Sequence, residues 1–327
     1  MINQTNCLII GGGICGLVAA TQLQAKGFSV KVLDKGRGIG GRFATRRIPH
    51  PQQGEGIFDY GVQYLTARTE VFQEWIQQWL QLGIIETWAG VAKEPKQVKY
   101  IGVNGIRHIT KHLACDLDVE TKTKVLHLSE EKGSWTVVTE EGRNYNSDRV
   151  ILTAPLPQSL QLLQGSNLQI TDEKLNQVAY HPCLAVLLLV SEPISVGESG
   201  GYYVGGETLD WIVCNSQKGI SPHAYAVTLL GNGKFSAEHS HRKGQELAGQ
   251  QLIEAARGFL GQARVISQQV HFWRYSTPIQ QFPAPFFAVS ESLYLAGDGF
   301  FTTDYPVSPV ESAFLSGLAA ATAMNNE

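Results

Sequence analysis

The residues Gly11-Gly12-Gly13-Ile14-Cys15-Gly16 have the types and spacing needed to hold a phosphate against the backbone. Gly11 permits a tight turn, Gly13 lets the backbone approach a pyrophosphate, and Gly16 lets a helix pack closely on a strand. A helix starting there directs N–H groups and its positive dipole end at the phosphates. Asp34 follows about 18 residues after Gly16, where an acceptor for a ribose hydroxyl belongs. The stretch Asp34-Lys35-Gly36-Arg37-Gly38-Ile39-Gly40-Gly41-Arg42 adds a second glycine-rich loop, whose glycines let Arg42 fork onto the same pyrophosphate. The reading is dinucleotide binding; the plain alternative is a structural turn followed by a basic loop.

A second group of candidates is aromatic. On a strand, His271, Trp273 and Tyr275 share one face by the period of two, which suits stacking of a flat ring, and Tyr64 and Trp211 can extend the wall. Spacing alone fits an aromatic core face at least as well. His108, His112 and Asp116 share a helical face but lack an HExxH pattern, so they read as a solvated face. His223, His239 and His241 read as loop residues, and no metal is expected. No GxSxG elbow is present, which argues against a hydrolase.

The elements that must position these residues follow from the pattern. Cys7–Ile10 is apolar without alternation, as in a parallel strand buried on both faces. A helix through Leu17, Ala20 and Leu23 ends at Gly27, and Ser29–Leu33 is the next strand. Thr69 caps an amphipathic helix with Val71, Phe72, Trp75, Ile76, Trp79 and Leu80 on one face and Gly83 beyond its end. Strands are expected at Lys124–Leu128, at Trp135–Val138 within a hairpin region Glu131–Gly142, and at Arg149–Leu152. From Leu156 to Pro283 short strands (Leu184–Val190, Tyr202–Gly205, Trp211–Cys214, Ala224–Leu230) precede a helix over Arg242–Leu260, suiting an antiparallel sheet. Ser308-Pro309-Val310-Glu311 is a capping box with proline at the first helical position.

Composition bounds the rest. With 327 residues, 43% hydrophobic and 17% charged, the chain is an ordinary globular one of about two domains. A net charge of −3 argues against nucleic acid as a partner. The apolar run Cys183–Val190 is too short to cross a bilayer, so no integral membrane segment is expected. The N-terminus shows no targeting pattern. Five scattered cysteines without a CxxC pair read as a reducing, cytoplasmic setting.

The Asp34–Arg42 stretch with its GGR ending resembles the second signature of FAD proteins of the amine oxidase class. Phe58-Asp59-Tyr60-Gly61-Val62-Gln63-Tyr64 resembles the D-x-G-x-Q-Y element of one branch, the renalases. Leu209-Asp210-Trp211, His271-Phe-Trp273-Arg-Tyr275-Ser-Thr-Pro278 and Leu295-Ala-Gly297-Asp298-Gly299 fit the same branch, in order along nearly the whole chain. The resemblance implies an α/β fold: a Rossmann-type FAD-binding domain with an inserted antiparallel-sheet substrate domain, an amine oxidase or p-hydroxybenzoate hydroxylase-like architecture. The FAD domain is expected at 1–65, 99–155 and 286–327, and the substrate domain at 66–98 and 156–285. It further implies noncovalent FAD held by Gly11, Gly13, Cys15 through its backbone, Gly16, Asp34, Lys35, Gly41, Arg42, Gln63, Tyr64, Val125, Thr153, Gly297 and Asp298. Val310, at a helix start near the ring, would place a positive dipole end where negative charge develops as the flavin takes a hydride. The substrate would meet Tyr64, Trp211, His271, Trp273 and Tyr275.

The activity implied is oxidation of the 1,2- and 1,6-dihydro isomers of NAD(P)H, hydride passing to flavin N5 and then electrons to O2, giving H2O2. An amine oxidase or polyene desaturase of the same fold is the rival enzyme. A non-catalytic FAD-binding redox protein is the alternative from another class. The segment Phe300-Phe301-Thr302-Thr303-Asp304-Tyr305 is bulkier than the family pattern, which leaves pocket shape open.

Overall fold

The computed structural model describes residues 6–52, 54–89, 97–301, 303 and 305–325. Asn6–Ile10 is strand β1, Ile14–Ala25 is helix α1 and Ser29–Leu33 is β2, the expected strand–helix–strand unit. An antiparallel hairpin of β3 (Thr45–His50) and β4 (Gly54–Asp59) follows, then α2 (Glu70–Gln81), β5 (Ile85–Trp88), β6 (Lys99–Gly102) and α3 (Arg107–Leu113). Next come β7 (Asp118–Glu120), β8 (Val125–Glu131), β9 (Ser134–Thr139), β10 (Asn144–Ser147), β11 (Arg149–Leu152) and α4 (Leu156–Gly165). Four strands follow: β12 (Ala179–Val190), β13 (Gly201–Tyr203), β14 (Leu209–Cys214) and β15 (Ala226–Gly231). Three helices, α5 (Gly233–Glu238), α6 (Gln245–Ala255) and α7 (Arg257–Leu260), lead into the long β16 (Val265–Gln280). The chain ends with β17 (Phe287–Ser290), β18 (Leu293–Leu295) and α8 (Pro309–Asn325).

These elements form two compact units. One comprises Met1–Gly41, Thr110–Ala179 and Pro278–Glu327, the other Arg42–Ile109 and Tyr180–Thr277. In the first, six strands lie in the order β17-β18-β11-β1-β2-β7, with β1 running parallel to both β2 and β11. Cys7, Leu8 and Ile9 are all buried, which is why this strand shows no polar alternation. Helix α8 packs closely on α1: a Cβ on Gly317 would collide with the Cys15 carbonyl oxygen.

In the second unit the order is β13-β14-β15-β12-β16. Strand β12 is buried on both faces. Leu184, Val186, Leu188 and Val190 join Leu252 and Ile253 of α6, with Val270 and Phe272 of β16 packed against them. Leu187 and Leu189 face the other way, onto Ile48 of β3 and Phe58 of β4. That contact ties the β3–β4 hairpin to this sheet. With Ile101 packed on Ile57 and Ile220, it explains why 42–65 and 99–109, grouped with the cofactor domain on sequence grounds, lie in the second unit. Conversely, Ser166 at the end of α4 accepts a hydrogen bond from Leu128 N–H of β8, so residues 156–179 stay with the first.

Helix α2 begins as its pattern requires, with Thr69 Oγ1 accepting from Phe72 N–H, and it buries Phe72, Ile76 and Trp79. Val71 is exposed, so the apolar face is narrower than the sequence implied. The helix expected over Arg242–Leu260 is interrupted. A short 3-10 turn at Arg242–Gly244 precedes α6, and Ala256 separates α6 from α7, which carries Gly258, a weak helix former.

Candidate cofactor site and aromatic face

The three glycines of the first motif do different jobs in the first unit. A Cβ on Gly11, at φ +121°, would lie 2.6 Å from Thr153 Oγ1, and one on Gly16 would strike the Gly11 carbonyl oxygen. Both are glycine because protein packs against them. Gly13 is different: its φ of −79° suits any residue, and a Cβ there meets nothing within 4 Å. Protein packing does not require glycine at that point, whereas close approach of a ligand does. Gly13 is also the N-cap of α1 and provides no side chain to cap it, so the helix start is shaped for an anion.

The second glycine loop is strapped to the first. Gly40 N–H donates to the Gly12 carbonyl (2.8 Å), and Gly13 and Gly40 form an isolated parallel bridge. Asp34 accepts from Gly12 N–H through Oδ2 and from Gly36 N–H through Oδ1, both at 2.6 Å. Its carboxylate therefore clamps the two loops together and keeps further lone pairs for a sugar hydroxyl. Lys35 bonds to Gln158, and desolvation holds its ammonium below the ordinary range despite the pull of Asp34. Thr153, just past β11, donates from Oγ1 to the Gly11 carbonyl (2.9 Å), so it braces the turn. Val125 opens β8, half-buried.

Gly297 and Asp298 follow β18. Gly297 has φ +143° and donates its N–H to Ser316 Oγ of α8 (2.9 Å), and Asp298 is buried. Gln281 was not anticipated. Its Nε2 donates to the Asp298 carbonyl (2.7 Å) and to Ser312 Oγ, fastening the Gly-Asp turn to the first turn of α8. Ser308 Oγ accepts from Glu311 N–H, capping α8 with Val310 as its second residue. Of the bulky segment after this turn, Thr302 and Asp304 lie outside the described residues.

Arg42, Gln63 and Tyr64 belong to the second unit. Arg42 donates from Nη1 to the Ser276 carbonyl (3.0 Å), and its guanidinium lies 6.0 Å from the Tyr180 ring centroid. Gln63 is buried. Its Nε2 donates to the Asp59 and Gly61 carbonyls, while Oε1 has no hydrogen-bond partner among the described residues and can accept from a ligand.

Beside Gln63 lies an ion pair with both side chains wholly buried: Lys218 Nζ donates to Asp59 Oδ2 (3.1 Å) and to the Gln63 carbonyl (2.7 Å). Asp59 Oδ1 also accepts from Thr45 Oγ1 (2.6 Å) and Ile106 N–H (2.9 Å). Burial pushes the Lys218 ammonium down and Asp59 pulls it back. Sequence reasoning quoted Asp59 only within its motif and passed over Lys218, because a lysine 159 positions away in a loop carries no local signal.

The five candidate substrate residues fall into three ring groups. Tyr64 lies 6.1 Å from Trp211 and 5.9 Å from Trp88 between ring centroids. His271 and Trp273 sit 4.3 Å apart, both against Tyr60, whose carbonyl accepts from Trp273 Nε1 (2.8 Å). Tyr275 meets Tyr180 edge-on at 5.7 Å. Residues 271, 273 and 275 share the β16 face opposite Phe272, and Phe272 is the one packed on the apolar core. Burial first, then the Arg46 charge, lowers the His271 pKa to about 4, so its ring is neutral near pH 7. His108 and His112 lie on α3 with Asp116 beyond its end, and among the described residues no group of three His, Cys, Asp or Glu side chains is placed to hold a metal.

Comparison with known proteins adds the family. Residues 9–79 match the NAD(P)-binding Rossmann-like domain, and residues 85–325, most of the chain, match the flavin containing amine oxidoreductase family. The chain belongs to that family. It is an oxidoreductase with FAD as its cofactor, and within the first unit the open Gly13 cradle at the start of α1 is a feature such a group can use. Among relatives, it is 27% identical to mouse renalase over 295 residues, 82% of this chain and 84% of that protein. It is 38% identical to lysine-specific histone demethylase 1 homolog 1 of Arabidopsis thaliana over 66 residues, 20% of this chain and 8% of that one. A crystal structure of an oxidoreductase from Methanosarcina mazei has the same fold, with a TM-score of 0.63 at 13% identity, covering 97% of this chain and 99% of the other. No helix among the described residues is long and apolar enough to cross a membrane.

Proposed function

We propose that this flavoprotein oxidises the 1,2- and 1,6-dihydro isomers of NAD(P)H to NAD(P)+, with O2 as the final acceptor and H2O2 as the other product. Bound FAD supplies a hydride acceptor and passes the electron pair to O2. The cradle residues Gly11, Gly13, Cys15, Gly16, Asp34, Lys35, Gly41, Val125, Thr153, Gly297, Asp298 and Val310, with Arg42, Gln63 and Tyr64, are the proposed FAD contacts. Trp273, His271 and Tyr275, helped by Tyr64 and Trp211, would orient the flat substrate ring.

The observation that carries this reading is the aromatic face made by His271, Trp273 and Tyr275 of β16, on the opposite side of the strand from Phe272, which packs on the apolar core. Such a face offers stacking surface without a charged group at its centre. A dihydropyridine suits it, because loss of hydride makes the ring aromatic and no side chain has to accept a proton. His271, held neutral near pH 7, matches that requirement. The similarity to renalase across most of both chains supports the same substrate class.

An oxidase of amines is the second reading, favoured by the family description itself. Lys218, the buried lysine near Gln63, is committed to Asp59, which gives that reading little additional help. Oxygen-electrode assays separate the two. Turnover of the 1,2- and 1,6-isomers with one H2O2 and one NAD(P)+ formed per O2 is the expected result. Turnover of primary amines, or of ordinary 1,4-NADH at comparable rates, would overturn it.

A further inference from the structure

Arg46, on β3, has no counter-charge among the described residues. Its Nη1 donates to Gln269 Oε1 (3.0 Å), its Nη2 lies 3.5 Å from the Tyr60 hydroxyl, and the guanidinium sits 4.9 Å from the Tyr60 ring centroid. All three partners are neutral. Among the described residues no carboxylate lies within ion-pair distance of it, whereas its neighbour Arg47, on the opposite side of the same strand, is paired with Glu55 of β4. Arg46 is half-buried and held in place from both sides, by Gln269 of β16 and by the Tyr60 ring. Its unneutralised charge is felt by the His271 ring nearby.

A guanidinium fixed in this way, with donors left over and no acid to meet, is built to receive an anion. Tyr60, on which Arg46 lies, is the ring that also contacts His271 and Trp273. The cation therefore stands at the edge of the proposed stacking face, one ring removed from where a flat heterocycle would lie. A dihydropyridine nucleotide carries its phosphate about one sugar away from that heterocycle.

We propose that Arg46 binds a phosphate of the substrate and makes this protein selective for phosphorylated dihydropyridines over their neutral ribosides. The inference rests on the proposed activity and names the part of the substrate that it leaves open. Arg46 acts in substrate binding, and the hydride step is left to the ring.

The test compares FAD-loaded wild type with Arg46→Gln and Arg46→Lys, using 1,2-dihydronicotinamide riboside, its mononucleotide and its dinucleotide. Flavin reduction is followed anaerobically. Arg46→Gln should lower the preference for phosphorylated over neutral substrate by about tenfold or more, the weight of one charge-assisted contact, with partial recovery in Arg46→Lys. A penalty already present with the mononucleotide assigns the phosphate next to the sugar, and one confined to the dinucleotide assigns the distal phosphate; either result upholds the proposal. Equal losses on riboside and nucleotides would show a purely structural role and overturn it, as would no loss on any. If wild-type flavin is reduced by none of the three, the proposed activity fails and equilibrium binding of NAD+ decides this inference separately. Binding weakened about tenfold by Arg46→Gln upholds the anion site, and unchanged binding overturns it.

Discussion

Trp273 has its indole N–H bonded to the Tyr60 carbonyl and one face against the Tyr60 ring, so its orientation is fixed before any substrate arrives. Trp273→Ala removes that surface without touching the glycine cradle. The expected result is normal FAD content with flavin reduction slowed about tenfold or more, measured by anaerobic stopped flow; an unchanged rate would remove the residue from the site. His271 gives a second prediction through pH. Its pKa is about 4 in the folded protein against an ordinary 6.5, so above pH 6.5 it is neutral in both states. As pH falls from 6.5 towards 4 the unfolded chain takes up the proton first, and the stability this neutral ring contributes is lost. Urea denaturation at pH 7 and pH 5 should show the wild type losing more stability than His271→Gln. Residue types announced the stacking candidates, but not how they divide. Tyr64 stands between Trp211 and Trp88, the latter a residue to which the sequence assigned no role, because grouping depends on which strands pair.

Elements with local signals were legible in both units. In the first, Ser29–Leu33 matches β2 residue for residue, and in the second the Thr69 cap and Gly83 bracket α2 as expected. The glycines of the β1–α1 turn allow a test at this scale. Gly13→Ala adds a methyl in open space at an ordinary φ, so the protein should fold with nearly unchanged melting temperature and yet retain less FAD. Gly16→Ala drives the same methyl into the Gly11 carbonyl oxygen and should lower melting temperature as well. If both variants keep full FAD content, the cradle is misassigned. Pairings across distant elements were not legible. The Asp59–Lys218 ion pair joins the end of β4 to the loop after β14, and neither residue's surroundings in sequence mark it. Lys218→Met should cost about 3–5 kcal/mol, because it strands a buried carboxylate among its remaining donors. Chemical denaturation of the loaded protein would measure this, and a loss below about 1 kcal/mol would contradict the pair's role.

At the scale of the molecule, composition and motif order indicated a two-part flavoprotein; family membership shows the flavin oxidoreductase, and the chain divides into two compact units. Where the parts divide was harder to read. The β3–β4 hairpin follows the cofactor motifs in sequence but packs Ile48 and Phe58 against Leu187 and Leu189, which lie more than a hundred residues later. The apolar content of those residues says only that they are buried, and the partner is set by strand register. The claim on which the functional account depends is that the FAD of this protein accepts hydride from a misplaced-hydride dihydropyridine. Anaerobic mixing of the FAD-loaded protein with purified 1,2- or 1,6-dihydro-NAD, recorded across the visible flavin band, tests it most directly. The account predicts rapid and complete bleaching with stoichiometric NAD+ and little change with 1,4-NADH or amines. A flavin that stays yellow with both isomers, or bleaches as readily with an amine, would contradict it.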